Sequence, residues 1–218
     1  MRTFTLIAVA LLLSLTCLQS ANAQCPTPAP NDYPNIPFIG SYSTTIESPL
    51  GSGCFITFQW CWRTTPFNGG EVEIYIGAIS RGHGCTGSYD MNDLIRIASR
   101  HLIVNLHPWT STDGGMGAAV NTPIPPCPAM SKTIYRILHA SCYSEEFFDP
   151  TTATWVRTPC GNGNIGRCEE QWRVCYEYVN GVKQLNETLV SIVNNGATCP
   201  ATTHDAAGNP IPCLRICQ

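Results

Sequence analysis

The chain has 218 residues and a formal charge of −3; charged side chains make up only 12%, while Gly and Pro fill 35 positions. Globular domains ordinarily carry about twice that charged fraction. With no basic run present, a nucleic-acid or anionic-membrane partner is not expected. Hydrophobic residues at 44% and aromatics at 9% argue against a disordered chain.

Residues 1–23 read as an export signal peptide. Arg2 gives the positive start, residues 6–15 the apolar run, and Ala21-Asn22-Ala23 the small-x-small cleavage site. The run is too short to span a bilayer and no later segment approaches that length, so no transmembrane segment is expected. Acylation at Cys17 fits less well, because Leu15-Thr16 lacks a small residue before it. Cleavage after Ala23 removes Cys17 and leaves twelve cysteines: Cys25, Cys54, Cys61, Cys85, Cys127, Cys142, Cys160, Cys168, Cys175, Cys199, Cys213 and Cys217. Twelve is enough for six disulfides with none left over. Such a set belongs to an oxidising compartment, so the chain is expected to be secreted or displayed at a cell surface. No Cys-x2-Cys pair occurs, and neither a metal site nor a cofactor is read. Without Arg2 the chain holds 11 basic and 15 acidic residues.

Residues 24–40 hold five prolines and read as an extended N-terminal arm tied down by Cys25. Residues 41–47 suit a short edge strand. Residues 54–63 are the clearest strand. Cys54, Ile56, Phe58, Trp60 and Trp62 alternate with Phe55, Thr57, Gln59, Cys61 and Arg63, giving one apolar and one mixed face.

The same plan recurs in residues 168–178. Both stretches place six residues between cysteines, an aromatic after the second cysteine (Trp62, Tyr176) and an Asn-Gly pair soon after (Asn68-Gly69, Asn180-Gly181). Cys54, Cys61 and Cys85 map onto Cys168, Cys175 and Cys199 with a constant offset of 114. This spacing predicts an internal duplication: units 41–130 and 131–218, mainly β, sandwich-like, with disulfide-stapled antiparallel hairpins. Within each stretch the two cysteines cannot bond to each other. Seven residues of strand span about 23 Å, whereas bridged Cα atoms lie within about 7 Å. The second cysteine, on the mixed face, is expected to pin another segment over the outside of the sheet. Folding the first hairpin about Gly69 sets Cys54 opposite residue 84, which suggests a Cys54–Cys85 bridge. Folding the second about Asn180-Gly181 sets Cys168 opposite residue 193, well short of Cys199.

Residues 90–106 read as a helix. Met91, Leu94, Ile95, Ala98, Leu102 and Leu106 share one face, Asp90 is the N-cap, and His107-Pro108 ends it. Nothing at the corresponding place in the second unit repeats it. The proline-rich stretch 122–128 marks the boundary. Residues 132–144 read as a strand from their β-branched and aromatic content, residues 149–166 as turns, and the tail 199–218 as loop.

Several constellations are weighed for chemistry. Ala78-Ile79-Ser80-Arg81-Gly82 resembles a hydrolase elbow in spacing, but that elbow leads straight into a helix, and Gly82-His83-Gly84-Cys85 intervenes. His83, His101, His107, His139 and His204 fit no metal spacing. Glu145, Glu146 and Asp149 form an acidic cluster, and Asp113 lies in a Gly-rich loop without a calcium-loop ladder. Trp60, Trp62 and Trp172 read as core. Trp109 and Trp155 read as loop aromatics, the possible binding residues. Asn186-Glu187-Thr188 is a glycosylation sequon in a eukaryotic host. No catalytic residue is assigned. The expected function is a non-catalytic extracellular protein, a surface component or a binding module for an extracellular protein or glycan. The alternatives are a small secreted hydrolase using Asp or Glu with His, and a subunit of an extracellular assembly.

Overall fold

The computed structural model describes residues 25, 35–49, 51–65, 71–86, 89–105, 126–127, 134–161, 167–194, 198–205 and 207–217. The expectations for the signal peptide, the Asn68-Gly69 turn, Trp109, His107 and Asp113 lie outside these residues. The described chain is mainly β, with one helix and six disulfides.

The strands are β1 (Ile39–Glu47), β2 (Phe55–Thr65), β3 (Glu71–Arg81), β4 (Ile134–Ala140), β5 (Cys142–Ser144), β6 (Phe147–Asp149), β7 (Thr154–Arg157), β8 (Arg167–Val179), β9 (Val182–Asn194), β10 (Thr202–His204) and β11 (Pro210–Arg215). Helix α1 (Met91–Asn105) lies between β3 and β4. The main sheet runs β1-β2-β3-β4-β8-β9, with β7 also on β3 and β6 on β7; a small sheet runs β10-β11-β5. The tail expected to be loop therefore forms a short hairpin paired onto β5. The stretch expected to be turns holds β7.

The sheet is continuous across the expected boundary near residue 130. β3 and β4 are parallel partners, from Val72 opposite Tyr135 to Ile76 opposite His139. Parallel neighbours need a long crossover, and α1 sits in it. The two Cys-stapled hairpins, β2–β3 and β8–β9, thus lie side by side in one sheet, joined through β4.

One face of this sheet is the main core. Ile56, Phe58, Trp60 and Trp62 of β2, Ile74 and Ile76 of β3, Tyr135 and Ile137 of β4, and Trp172 and Val174 of β8 pack with Met91, Leu94, Ile95, Ala98, Leu102 and Ile103 of α1. Burying each large apolar side chain contributes roughly 1.5–3 kcal/mol. The helix starts where Asp90 Oδ1 accepts the Asn92 amide at 2.8 Å, satisfying one of its unpaired donors.

The opposite face carries a smaller cluster. Cys61, Tyr75 and Leu138 are successive partners across β2, β3 and β4, with Cys25 and Phe38 packed over them. Cys25 bonds Cys61, so the mixed-face cysteine does pin the N-terminal segment over the sheet. Cys127 bonds Cys175, but its segment lies beside β8 rather than over it: Pro126 forms a parallel bridge with Tyr176, and the Cys127 amide donates to the Tyr176 carbonyl at 2.8 Å. The remaining bridges are Cys54–Cys85, Cys142–Cys199, Cys160–Cys213 and Cys168–Cys217. Their loops span 31 to 57 residues, for which chain entropy alone gives roughly 4 kcal/mol per bridge.

Two bulges adjust the hairpin registers. In the first, Phe58 faces Ile79 while Trp60 faces Ile76, so Gly77 and Ala78 together oppose Gln59. Tyr143 holds this bulge from the core side, its hydroxyl donating to the carbonyls of Ile76 and Gly77 at 3.1 and 3.0 Å. In the second, Val190 is the extra residue, which moves Cys168 from the expected position 193 to face Asn194.

Candidate functional site

Polar chemistry collects in two places. The first is a row across the face away from the helix. Arg63, Glu73, Arg136, Gln171 and Ser191 are consecutive partners on β2, β3, β4, β8 and β9. Arg63 Nε donates to Glu73 Oε2 at 2.6 Å, and both side chains are fully buried. Arg136 donates to the other Glu73 oxygen and grips Glu169, with Nε to Oε1 at 2.9 Å. Gln171 donates to Glu169 at 2.8 Å, and Ser191 Oγ donates to Gln171 at 3.0 Å. Arg63 also donates to the Ile36 carbonyl at 3.0 Å and lies 4.6 Å over the Phe38 ring. Burial pushes the Glu169 carboxyl up. The hydrogen bonds from Arg136 and Gln171 and the Arg136 charge outweigh this and hold it below the usual carboxylate range. Two arginines against two carboxylates close the row on itself, so it braces the sheet.

Two further titratable groups sit nearby in the sheet. Burial pushes His139 down to about 4, so its ring is neutral at pH 7. Burial pushes the Glu170 carboxyl up, although Trp172 Nε1 donates to it at 3.0 Å.

The second place is the end of β3, where β6–β7 and the segment before α1 converge. Arg81 Nε and Nη2 grip Glu146 at 2.6 and 2.5 Å, and Nη1 donates to the Cys85 carbonyl at 2.7 Å. The hydrogen bond to Glu146 holds the Arg81 proton more firmly still. Arg157 Nε lies 3.9 Å from Glu146, and its Nη2 donates to the Tyr89 carbonyl at 3.3 Å. The Arg81 guanidinium lies 5.7 Å from the Trp155 ring centroid and 5.6 Å from that of Tyr89. Phe148 meets Trp155 edge-on at 5.5 Å and His83 at 5.4 Å, and Phe148 is 40% exposed. The result is a fixed aromatic shelf backed by two arginines and one carboxylate. The corner beneath it is tight: Cys54 bonds Cys85, and a Cβ on Gly84 would lie 2.2 Å from the Gly53 carbonyl oxygen.

The sequence candidates distribute as follows. Trp155 is half-buried on β7, inside this shelf. Glu146 is the partner of Arg81, and Glu145 points to solvent. Asp149 accepts from the Thr151 amide and the Thr152 hydroxyl at 2.9 Å each, closing the β6–β7 turn. His101, on α1, meets Phe58 of β2 edge-on, and His204 is exposed on β10. Ser80 lies within β3 opposite Thr57, and among the described residues no helix follows until Met91. The structure thus joins Trp155, Glu146 and His83, and leaves His101, His139 and His204 elsewhere. Sequence reasoning missed Phe148 and Arg81. The signal was Phe147-Phe148-Asp149-Pro150 before Thr154-Trp155-Val156, a strand–turn–strand pattern too short to stand out.

No protein-family model matches the chain, and neither a curated protein nor a solved structure is found to resemble it. Among the described residues no helix is long and apolar enough to cross a membrane.

Proposed function

We propose that the chain is an exported, non-catalytic extracellular binding module whose ligand is a glycan stacked on Phe148 and Trp155. The export half rests on the signal-like N-terminus and on twelve cysteines joined in six bridges. The binding half rests on one observation. Phe148 presents an exposed ring whose underside is braced by Trp155, which the locked Arg81–Glu146 pair holds in turn. Aromatic faces set rigidly at a surface suit the apolar C–H face of a sugar, at little entropy cost. Glu146 supports a binding role over an acid–base role, because both its oxygens are engaged by Arg81.

A glycan array probed with the secreted protein and with Phe148→Ala tests this. A stacking contact of about 1 kcal/mol predicts binding roughly fivefold weaker in the variant, with the thermal midpoint lowered by no more than about 4 °C. Wild-type protein that binds no glycan overturns the ligand class. Turnover of a bound glycan would restore the hydrolase alternative.

A further inference from the structure

We propose that Asn186 carries an N-linked glycan, and that this glycan guards the free edge of β9 against pairing with a second copy of the chain. The proposal rests on the export reading above.

Asn186-Glu187-Thr188 is the one Asn-x-Ser/Thr sequon in the sequence. It falls on β9, the end strand of the main sheet, which among the described residues is paired only with β8. Asn186 and Thr188 are both exposed, while Glu187 points to the other face and pairs with Arg100 of α1. The two side chains that make a sequon therefore stand together, exposed, on the face away from the helix.

The hairpin geometry fixes what lies beside them. Asn180 and Gly181 both have positive φ, 52° and 78°, the signature of a type I′ turn closed by Val179 and Val182. Hydrogen-bonded and non-hydrogen-bonded pairs alternate from there. Cys175–Asn186 is then a hydrogen-bonded pair, and the Leu185 and Glu187 amides face outward at the edge. A strand added to that edge would set a side chain about 5 Å from Asn186, in the volume of the first sugar.

This edge needs a guard. Natural edge strands are kept short, bulged, charged or proline-bearing. β9 has 13 residues and no proline. Its Lys183 ammonium sits 3.9 Å over the Tyr176 ring, and Glu187 is turned away. Near its end Val190, Ile192 and Val193 are exposed, a β-branched run relieved by one bulge. The opposite edge, β1, has nine residues, a register shift and a Gly40 with φ of 75°.

In the covalent step, Asn186 Nδ2 attacks the anomeric carbon of a lipid-pyrophosphate-linked oligosaccharide. The N–C bond forms, the C–O bond to pyrophosphate breaks, Nδ2 loses a proton and the lipid pyrophosphate leaves.

The full chain is secreted from mammalian cells, and its intact mass is taken before and after peptide N-glycosidase. The expected product in the medium is heavier than the chain, and the enzyme removes the excess with an asparagine-to-aspartate mass change at position 186. Asn186→Gln and Thr188→Ala should both emerge at chain mass. Wild-type protein in the medium at chain mass overturns the site and leaves export standing. Chain held inside the cell without glycan overturns both. Sedimentation velocity then tests the guard. Asn186→Gln should associate as concentration rises where the glycosylated chain stays monomeric, and adding Ile192→Lys should restore the monomer. Asn186→Gln that remains monomeric over the same range overturns the guarding role.

Discussion

The hairpins β2–β3 and β8–β9 start from one sequence plan and end in different surroundings. Both place an apolar alternation on the helix side, and both use the second cysteine to tie down a Cys-Pro segment: Cys25 to Cys61 over the outer face, and Cys127 to Cys175 alongside β8. There the correspondence stops. Cys54 bonds Cys85, but Cys168 reaches the tail at Cys217, and Cys199 bonds Cys142. β3 is central, flanked by β2, β4 and β7, whereas among the described residues β9 is paired on one side only. The repeated spacing therefore encodes strand phase. The partner of each cysteine is decided by what the strand lies beside.

The polar row crossing both hairpins grades from fully buried at Arg63 and Glu73 to half-buried at Ser191. The largest expected effect is at its buried end. Glu73→Ala leaves Arg63 buried without its carboxylate and Arg136 with one partner fewer, and should cost about 3–5 kcal/mol in urea unfolding with disulfides intact. A loss under about 1 kcal/mol would mean that water reaches Arg63 and that the row does not brace the sheet.

The seam strand β4 gives the next effect. His139 titrates near 4 when folded and near 6.5 when unfolded. The unfolded chain therefore binds the proton first. His139's contribution is complete above pH 6.5 and is lost as pH falls to about 4, by about 3 kcal/mol. Glu170 runs the other way, because burial raises its carboxyl: its contribution is largest at low pH and fades as pH rises. The clean readout is a difference. Stability of His139→Leu, measured against pH, should lack the fall that the parent shows between pH 6.5 and 4. Parallel curves would place the ring in water.

Much of this was legible in the sequence, and the illegible parts share a cause. Phe58 and Trp60, with the Asn-Gly at 180, announce strands and a turn, because period and turn chemistry are local. Met91, Leu94 and Ala98 announce the helix for the same reason. Nothing local says that the chain leaves α1 to lie parallel to β3, so the single sheet was hidden. Arg63 falls on the mixed face of its strand, and a sequence does not show that Phe38 covers it or that Glu73 and Glu169 are buried beside it. β11 was masked by Pro210 and Pro212, residues a strand accepts only in special places. Trp155 was nominated, but its partner Phe148 and the Arg81 grip arise from contacts between distant segments.

At the outer end of the row, Ser191→Ala removes one hydrogen bond to Gln171 on a half-buried strand, and about 1 kcal/mol is expected. The smallest effect falls on the other face of the same hairpin. Arg100 reaches from α1 to Glu187 with its own side chain 71% exposed. Its ion pair works through water and salt, and Arg100→Ala should change stability by less than about 1 kcal/mol, shrinking further in added salt. Glu73 and Glu187 are both carboxylates on strands, with side chains 0% and 9% exposed, both held by arginine, and they differ chiefly in that arginine: Arg63 is fully buried and Arg100 stands largely in water. If Arg100→Ala cost as much as Glu73→Ala, burial would not be what separates the two hairpins, and the β9 edge would be more tightly held to the helix than its exposure implies.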